Sequence, residues 1–464
     1  MHVAGAIHAD VNSAGPKWLR EPDDLNALDP ALWSTTSTRT EDGVVATGGI
    51  RVTDAIAEHG SPLYLMDEED FRARARDFRD SFSPWTVYYA GKAFVSRTII
   101  RWVDEEGLFL DCCSGEELVL ALRSGINPAK IGLHGNNKDV PQLKMALEAG
   151  VGRIIVDSLD EIARLEAICT EIGAVANVMV RVTPGVEAHT HEYIATAHED
   201  QKFGLSITNG QAMVAMIRCQ YNPNINLLGI HSHIGSQIFN TDGFEVAARR
   251  TMKLLAQFAE ATGVELPELD LGGGFGIAYT AADAPSSTKT LAKNLKEIVA
   301  REVQAWNLRQ PRISIEPGRA IVGPSAMAIY TVGTVKVVDL GGDAQRVYLS
   351  VDGGMSDNIR PALYGAEYSA VIGNRSSDQP AILCRVVGKH CEGGDILVRD
   401  VFLPADVSVG DLIAIPASGA YSRAMASNYN LTPRPPVVAA KDGQMSTLLR
   451  RETLDDLFGL DVGR

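Results

Sequence analysis

Cysteine is scarce in this chain. Its 464 residues hold Cys112, Cys113, Cys169, Cys219, Cys384 and Cys391, with no CxxC pair among them. So few thiols argue against a disulfide framework or a zinc site, and for a reducing compartment. Long apolar runs are missing too: none approaches the ~20 residues of a membrane span. The start of the sequence lacks a basic region followed by an apolar stretch, and Asp10 interrupts it early. A cytoplasmic protein is therefore expected. Positive charge is in deficit, 43 Lys and Arg against 58 Asp and Glu, for a formal charge of −15. Such a chain repels phosphate backbones, which counts against general nucleic-acid binding. An anionic ligand would need its own arginines or helix N-termini. No block of like charge, internal repeat or low-complexity tract is present, and neither the GxxxxGK[ST] nor the GxGxxG nucleotide signature occurs.

What is present has a rhythm. At this length, with 45% hydrophobic residues, two domains are expected. From about residue 60 to 320, short β-branched runs alternate with amphipathic stretches. The expected strands are Val87–Ala90, Leu108–Cys112, Lys130–His134, Arg153–Asp157, Asn177–Val182, Leu227–His233, Glu268–Gly272 and Arg312–Glu316. The clearest helices between them are Ser96–Gly107, Gly115–Gly125, Leu159–Gly173 and Phe244–Gly263, all four ending at glycine. A strand at Leu63–Met66 and a helix at Asp70–Phe82 lead in. This alternation predicts an α/β fold, a (β/α)8 TIM-type barrel over 60–322, with an open doubly wound sheet as the alternative. After Gly323 the texture becomes β-rich, with strands at Ala326–Leu340, Arg346–Val351, Ala381–Val387, Asp395–Phe402 and Asp411–Pro416, then a helix within Ser446–Phe458. A β-rich, sandwich- or barrel-like C-terminal domain over 323–464 is expected. It also takes an N-terminal strand at Gly43–Arg51 from residues 41–59, while residues 1–40 form an unassigned extension.

Polar residues close most of the barrel strands: Lys92, Asp111, His134, Asp157, Arg181, His233, Gly272 and Glu316. In a barrel these ends converge on one face, where active sites are built. Ordinary solvated loops account for Asp157, and could account for His134 and Asp111. Other segments suit one ligand, pyridoxal phosphate. Lys92 follows the run Trp85–Tyr89; a solvated surface lysine is the common case, but a buried one would have a depressed pKa and a nucleophilic amine. Gly272-Gly273-Gly274-Phe275-Gly276 is an ordinary turn or a phosphate cradle, since glycine lets backbone N–H groups approach closely. Glu316-Pro317-Gly318-Arg319 is a surface ion pair, or a carboxylate that keeps a pyridine nitrogen protonated with positive charge nearby. His231 and His233 share one strand face. A metal pair there has no third ligand at the usual spacing; an imidazole stacked on a flat ring is the sharper reading, with Ser236 donating to phosphate. In the second domain, Cys391 sits between His390 and Glu392 ahead of Gly393-Gly394, either a structural cysteine or a usable thiol. Arg360 and Tyr364 follow a glycine-rich loop, and arginine grips carboxylates in a bidentate fork. Tyr421 follows Ser418-Gly419-Ala420.

In this order the segments resemble fold-type III pyridoxal-phosphate decarboxylases, on the alanine racemase-like barrel, and most of all those acting on meso-diaminopimelate. The resemblance runs from about residue 45 to the end. It includes Leu133–Lys138, Arg181–Glu192, Gln201–Gly204 and Arg450–Thr453. Small departures are Glu116, where a second glycine is common, and Gly393, where serine is common. The resemblance implies decarboxylation of meso-diaminopimelate to L-lysine and CO2, the last step of lysine biosynthesis, with pyridoxal 5′-phosphate as cofactor. It implies that Lys92 bonds the cofactor aldehyde, Glu316 faces the pyridine nitrogen and His233 stacks on the ring. Ser236, Gly273, Gly274, Gly318 and the Glu316–Arg319 backbone would hold the phosphate with Tyr421. Arg319, Arg360, Tyr364 and Tyr421 would bind the substrate and its distal carboxylate, Glu392 its distal ammonium, and Cys391 would donate the proton. It further implies a homodimer with shared active sites. The rival readings are a sibling decarboxylase for ornithine, arginine or carboxynorspermidine, a racemase, a non-catalytic homologue, and a barrel for another phosphate ligand.

Overall fold

The computed structural model describes residues 15–16, 18–185, 202–341 and 344–463. The stretch Val186–Glu192 and Gln201, both within motifs quoted above, lie outside the described residues. The chain divides into two compact units. One is Arg72–Gly276 with Pro285–Ile321, and the other is Met1–Phe71, Ile277–Ala284 and Val322–Arg464.

The first unit is a closed parallel barrel. Its strands are β1 (Thr86–Ala90), β2 (Phe109–Cys112), β3 (Ile131–Leu133), β4 (Arg153–Val156), β5 (Ala176–Thr183), β6 (Ile225–Ser232), β7 (Glu268–Asp270) and β8 (Arg312–Ile315). Each pairs in parallel with the next, and β8 pairs with β1, which closes the ring. Helices follow most strands, and several begin on a side-chain cap. Ser96, Ser114, Asp139, Ser158 and Ser287 each accept a hydrogen bond from the backbone N–H three residues on, which satisfies an otherwise orphaned donor. Five strands, β3, β4, β6, β7 and β8, stop one or two residues earlier than their sequence pattern. His134, His233, Gly272 and Glu316 therefore stand on the loops just past β3, β6, β7 and β8. A short strand, Leu205–Ser206, adds to β5.

The second unit is β-rich. Its long hairpin Ala326–Gly341 and Ala344–Val351 continues through Ala381–Val387 to Ile396–Pro404. Leu63–Asp67, read from the sequence as a lead-in to the barrel, belongs here instead. It is antiparallel to the start of Ala326–Gly341 and parallel to Val437–Lys441. All its residues are buried, and Leu63 and Leu65 join Leu32, Trp33, Ile329, Ala414 and Val438 in one core. That core also explains part of the N-terminal extension: Leu32 and Trp33 anchor it. Gly43–Arg51 is two short strands, Val45–Thr47 and Ile50–Arg51, turned on Gly48-Gly49. The short C-terminal helix expected within Ser446–Phe458 is present but starts later, because the range up to Leu449 is strand. Gln444–Leu449 pairs with Val437–Lys441 across Asp442 and Gly443, whose φ values of 50° and 75° make the Asp-Gly hairpin turn that matches strand twist. Only Leu454–Phe458 is helical, started by a Thr453–Asp456 capping box.

Candidate active site

The barrel holds a cavity of about 290 Å³ lined by Ala90, Lys92, Asp111, Cys113, His134, Gly135, Asn136, Arg181, Phe203, His231, His233 and Glu316. Lys92 lies on a 3-10 turn, Gly91–Ala93, directly after β1. It is exposed, so burial is not what would activate its amine, contrary to the sequence expectation. Its turn packs on the Glu316–Arg319 segment. Ala90 N–H donates to Pro317 O at 3.2 Å, and a Cβ on Gly318 would stand 2.8 Å from Ala90 O. Only glycine permits that approach.

The triple-glycine turn after β7 is woven into the same place. A Cβ on Gly273 would stand 2.3 Å from Glu316 O, and one on Gly274 2.6 Å from Gly235 O. Gly273 N–H donates to His233 Nδ1 at 3.2 Å, which leaves the ring proton on Nε2. Burial, then the positive charges of Lys92 and Arg181, hold His233 well below the usual imidazole range. Its ring is therefore neutral. Arg319 Nη2 donates to Ser236 Oγ at 3.0 Å. Lys92, His233, Ser236, Gly273, Gly274, Glu316, Gly318 and Arg319 are thus one neighbourhood of the barrel.

Beneath them lies a buried polar floor. Asp111, His134, Arg153, His231, Asp270 and Ser314 are each no more than 6% exposed, and Glu316 is 8% exposed. Burial alone would raise the Glu316 carboxyl, but His231 and His134 outweigh it and hold it well below the usual range. Arg153 pairs with Asp270, donates to Ser314 Oγ at 2.9 Å and stacks 3.7 Å over the Tyr88 ring. Sequence reasoning missed Arg153 and Asp270. The available signal was charge inside short apolar strands, where an inward-facing position needs a partner. Asp111, His134 and Asp157, explained above as solvated strand ends, are all buried. Lys138, in the loop after β3, is 1% exposed and donates to Gly135 O, Ile155 O and Glu161 Oε1 at 2.6, 2.7 and 2.6 Å. It fixes the loop that carries His134 and Asn136.

Arg360, Tyr364, Cys391, Glu392 and Tyr421 belong to the β-rich unit. Arg360 is 4% exposed, bonds Tyr368 Oη and lies 4.6 Å over the Tyr279 ring. Its buried Nε has no hydrogen-bond partner among the described residues, a donor of the type a carboxylate satisfies. Tyr364 ends the same short helix, Arg360–Tyr364. Tyr421 has a φ of 59°, uncommon for a bulky residue. Cys391 is exposed, as is Glu392, which accepts from Tyr429 Oη at 2.6 Å. The preceding His390 is pinned by Ser356 Oγ and Asn430 Oδ1, each at 2.8 Å.

Comparison with known proteins agrees with this chemistry. The family described as "Pyridoxal-dependent decarboxylase, pyridoxal binding domain" matches residues 68–323. A diaminopimelate decarboxylase of Mycobacterium leprae is 50% identical over 469 residues, covering 100% of this chain and 99% of that protein. One from Bacillus subtilis is 43% identical over 431 residues, covering 92% of this chain and 97% of its own. Among solved structures, diaminopimelate decarboxylase of M. jannaschii in complex with L-lysine superposes with a TM-score of 0.86 at 29% identity, covering 93% of this chain and 99% of that one.

Proposed function

The chain belongs to the pyridoxal-dependent decarboxylases, and from that premise we propose that it decarboxylates meso-2,6-diaminopimelate to L-lysine and CO2. The observation that carries this reading is the meeting, in one barrel neighbourhood, of Lys92, a neutral His233, an anionic Glu316 and a glycine cradle beside Arg319.

These groups fit pyridoxal 5′-phosphate. The buried acid has imidazoles on it, and the cradle is one that Cβ atoms would fill. When bound, the cofactor supplies an aldehyde that takes up an amine and a ring that draws off the electron pair left by a departing carboxylate. Lys92 would hold the aldehyde and release it to the substrate amine. Glu316 would face the ring nitrogen, and the uncharged His233 would offer a flat face to the ring. Ser236, Gly273, Gly274, Gly318 and Arg319, with Tyr421, would bind the phosphate.

Arg319, Arg360, Tyr364 and Tyr421 would grip the substrate and its distal carboxylate, and Glu392 the distal ammonium. Cys391 would return a proton to the α-carbon. A guanidinium with such a donor together with an acid suits a substrate bearing both groups at its far end. Ornithine, arginine and carboxynorspermidine lack the distal carboxylate. The reading extends to a homodimer in which Cys391 and Glu392 serve the partner's site. It also extends to a cytoplasmic setting, supported by the free state of all six cysteines. Among the described residues no helix is long and apolar enough to cross a membrane. The test is a product assay: purified protein with pyridoxal 5′-phosphate should release CO2 and lysine from meso-diaminopimelate. Turnover of ornithine or arginine instead would replace this reading with a sibling one.

A further inference from the structure

Glu316 does not meet the cavity alone. His134 Nε2 stands 3.2 Å from Asp111 Oδ1 and 3.3 Å from Glu316 Oε1. His231 Nε2 lies 3.1 Å from the same Glu316 oxygen and is hydrogen-bonded to the other, Oε2, at 3.3 Å. The two rings meet edge-on, their centroids 5.0 Å apart. Arg153 Nη2 is 3.9 Å from Glu316 Oε1, its charge largely taken by Asp270. Arg181 and Glu117 act on the cluster from farther off.

The approaches of His134 are charge contacts, with no aligned hydrogen bond from its Nε2 among the described residues, and two carboxylates at this distance favour the ring as a cation. Burial lowers the His134 imidazole, but Glu316 and Asp111 more than offset this and raise it to about 9. Asp111 is pushed up to about 7, first by burial and then by Glu316. Burial acting alone on Glu316 would make a basic carboxylate. Such a group would take the shared proton from a pyridine ring and cancel its electron withdrawal.

We propose that His134 is a positioning residue. Shared between Asp111 and Glu316, it holds the Glu316 carboxylate as an anion toward the cofactor's ring nitrogen, so that the proton between them stays on the ring. His231 shares the task as a neutral donor, since burial holds it below the usual imidazole range. This inference rests on the cofactor reading above and adds a role for residues that touch neither the aldehyde nor the substrate.

The experiment loads the full-length protein with pyridoxal 5′-phosphate labelled with nitrogen-15 in the ring and follows that nitrogen's chemical shift against pH. The wild type should show a protonated ring until the alkaline range where His134 loses its proton. In His134→Gln the signal should move toward neutral pyridine at pH 7. kcat should fall about ten- to a hundred-fold, the size of a lost contact with a charged group, with KM nearly unchanged. Asp111→Asn should act in the same direction but less, the ring losing its proton at a lower pH than in wild type. It decides the matter alone if His134→Gln does not fold. Signals and pH profiles that overlay the wild type would overturn the role of His134 while leaving the decarboxylase reading intact. A wild type that takes up no cofactor would overturn both.

Discussion

Glu316 and Glu392 are both carboxylates that the proposed chemistry needs, yet they are held in opposite ways. Glu316 is 8% exposed, with the His134 imidazole close to Oε1, that of His231 hydrogen-bonded to Oε2, and a guanidinium nearby. Glu392 is exposed and accepts from Tyr429. The first charge is set by its neighbours, because in a low-dielectric site each partner counts heavily. The second side chain stands in water, where a polar contact contributes little. The barrel floor is thus built to fix a protonation state before anything binds. The Cys391 loop offers groups whose contribution depends on what arrives.

Substitutions can break this contrast or sharpen it. Lys92→Ala should have the largest effect, with turnover abolished and the visible cofactor band lost, since among the described residues that line the cavity Lys92 is the one lysine. Absorbance and lysine release check it together. Glu316→Gln should come next. It keeps the shape but removes the anion, leaving His134 and His231 facing an amide. kcat should fall roughly a hundred-fold or more, in the range measured when one preorganised electrostatic group is removed, and the cofactor band should change with it. If kcat and band stayed as in wild type, the floor would not set the ring's charge. Arg360→Lys keeps the charge but loses the fork. KM for meso-diaminopimelate should rise about ten-fold or more with the cofactor band untouched, as steady-state kinetics would show. Glu392→Gln should be mildest, raising KM by at most about five-fold with an unchanged spectrum. An effect as large as that of Glu316→Gln would erase the distinction between the two regions.

Most of the barrel was legible because its strands are short apolar runs between glycine-ended helices. Lys92, His233, the glycine turn and Glu316–Arg319 stood out because each departs from what a plain strand end needs. What stayed hidden was hidden for physical reasons. Leu63–Asp67 is apolar on both faces, a pattern shared by barrel strands and buried sheet strands, so sequence could not say which unit it joined. Gln444–Leu449 mixes apolar and polar residues in a way that fits either period, and the Asp442-Gly443 turn was the overlooked signal. Arg153, Asp111 and His134 look like ordinary polar residues at strand ends until the closed ring turns them inward. Their partners, Asp270 and Glu316, come from strands far along the chain, and no local spacing records that.

The central claim is the covalent one, that Lys92 carries the cofactor. Borohydride reduction of the loaded protein followed by peptide mass mapping tests it most directly. A pyridoxyl-phosphate mass on the peptide containing Tyr88–Phe94, and on Lys92 within it, is the expected result. An adduct confined to another lysine, or none on protein that still releases lysine from meso-diaminopimelate, would contradict the account.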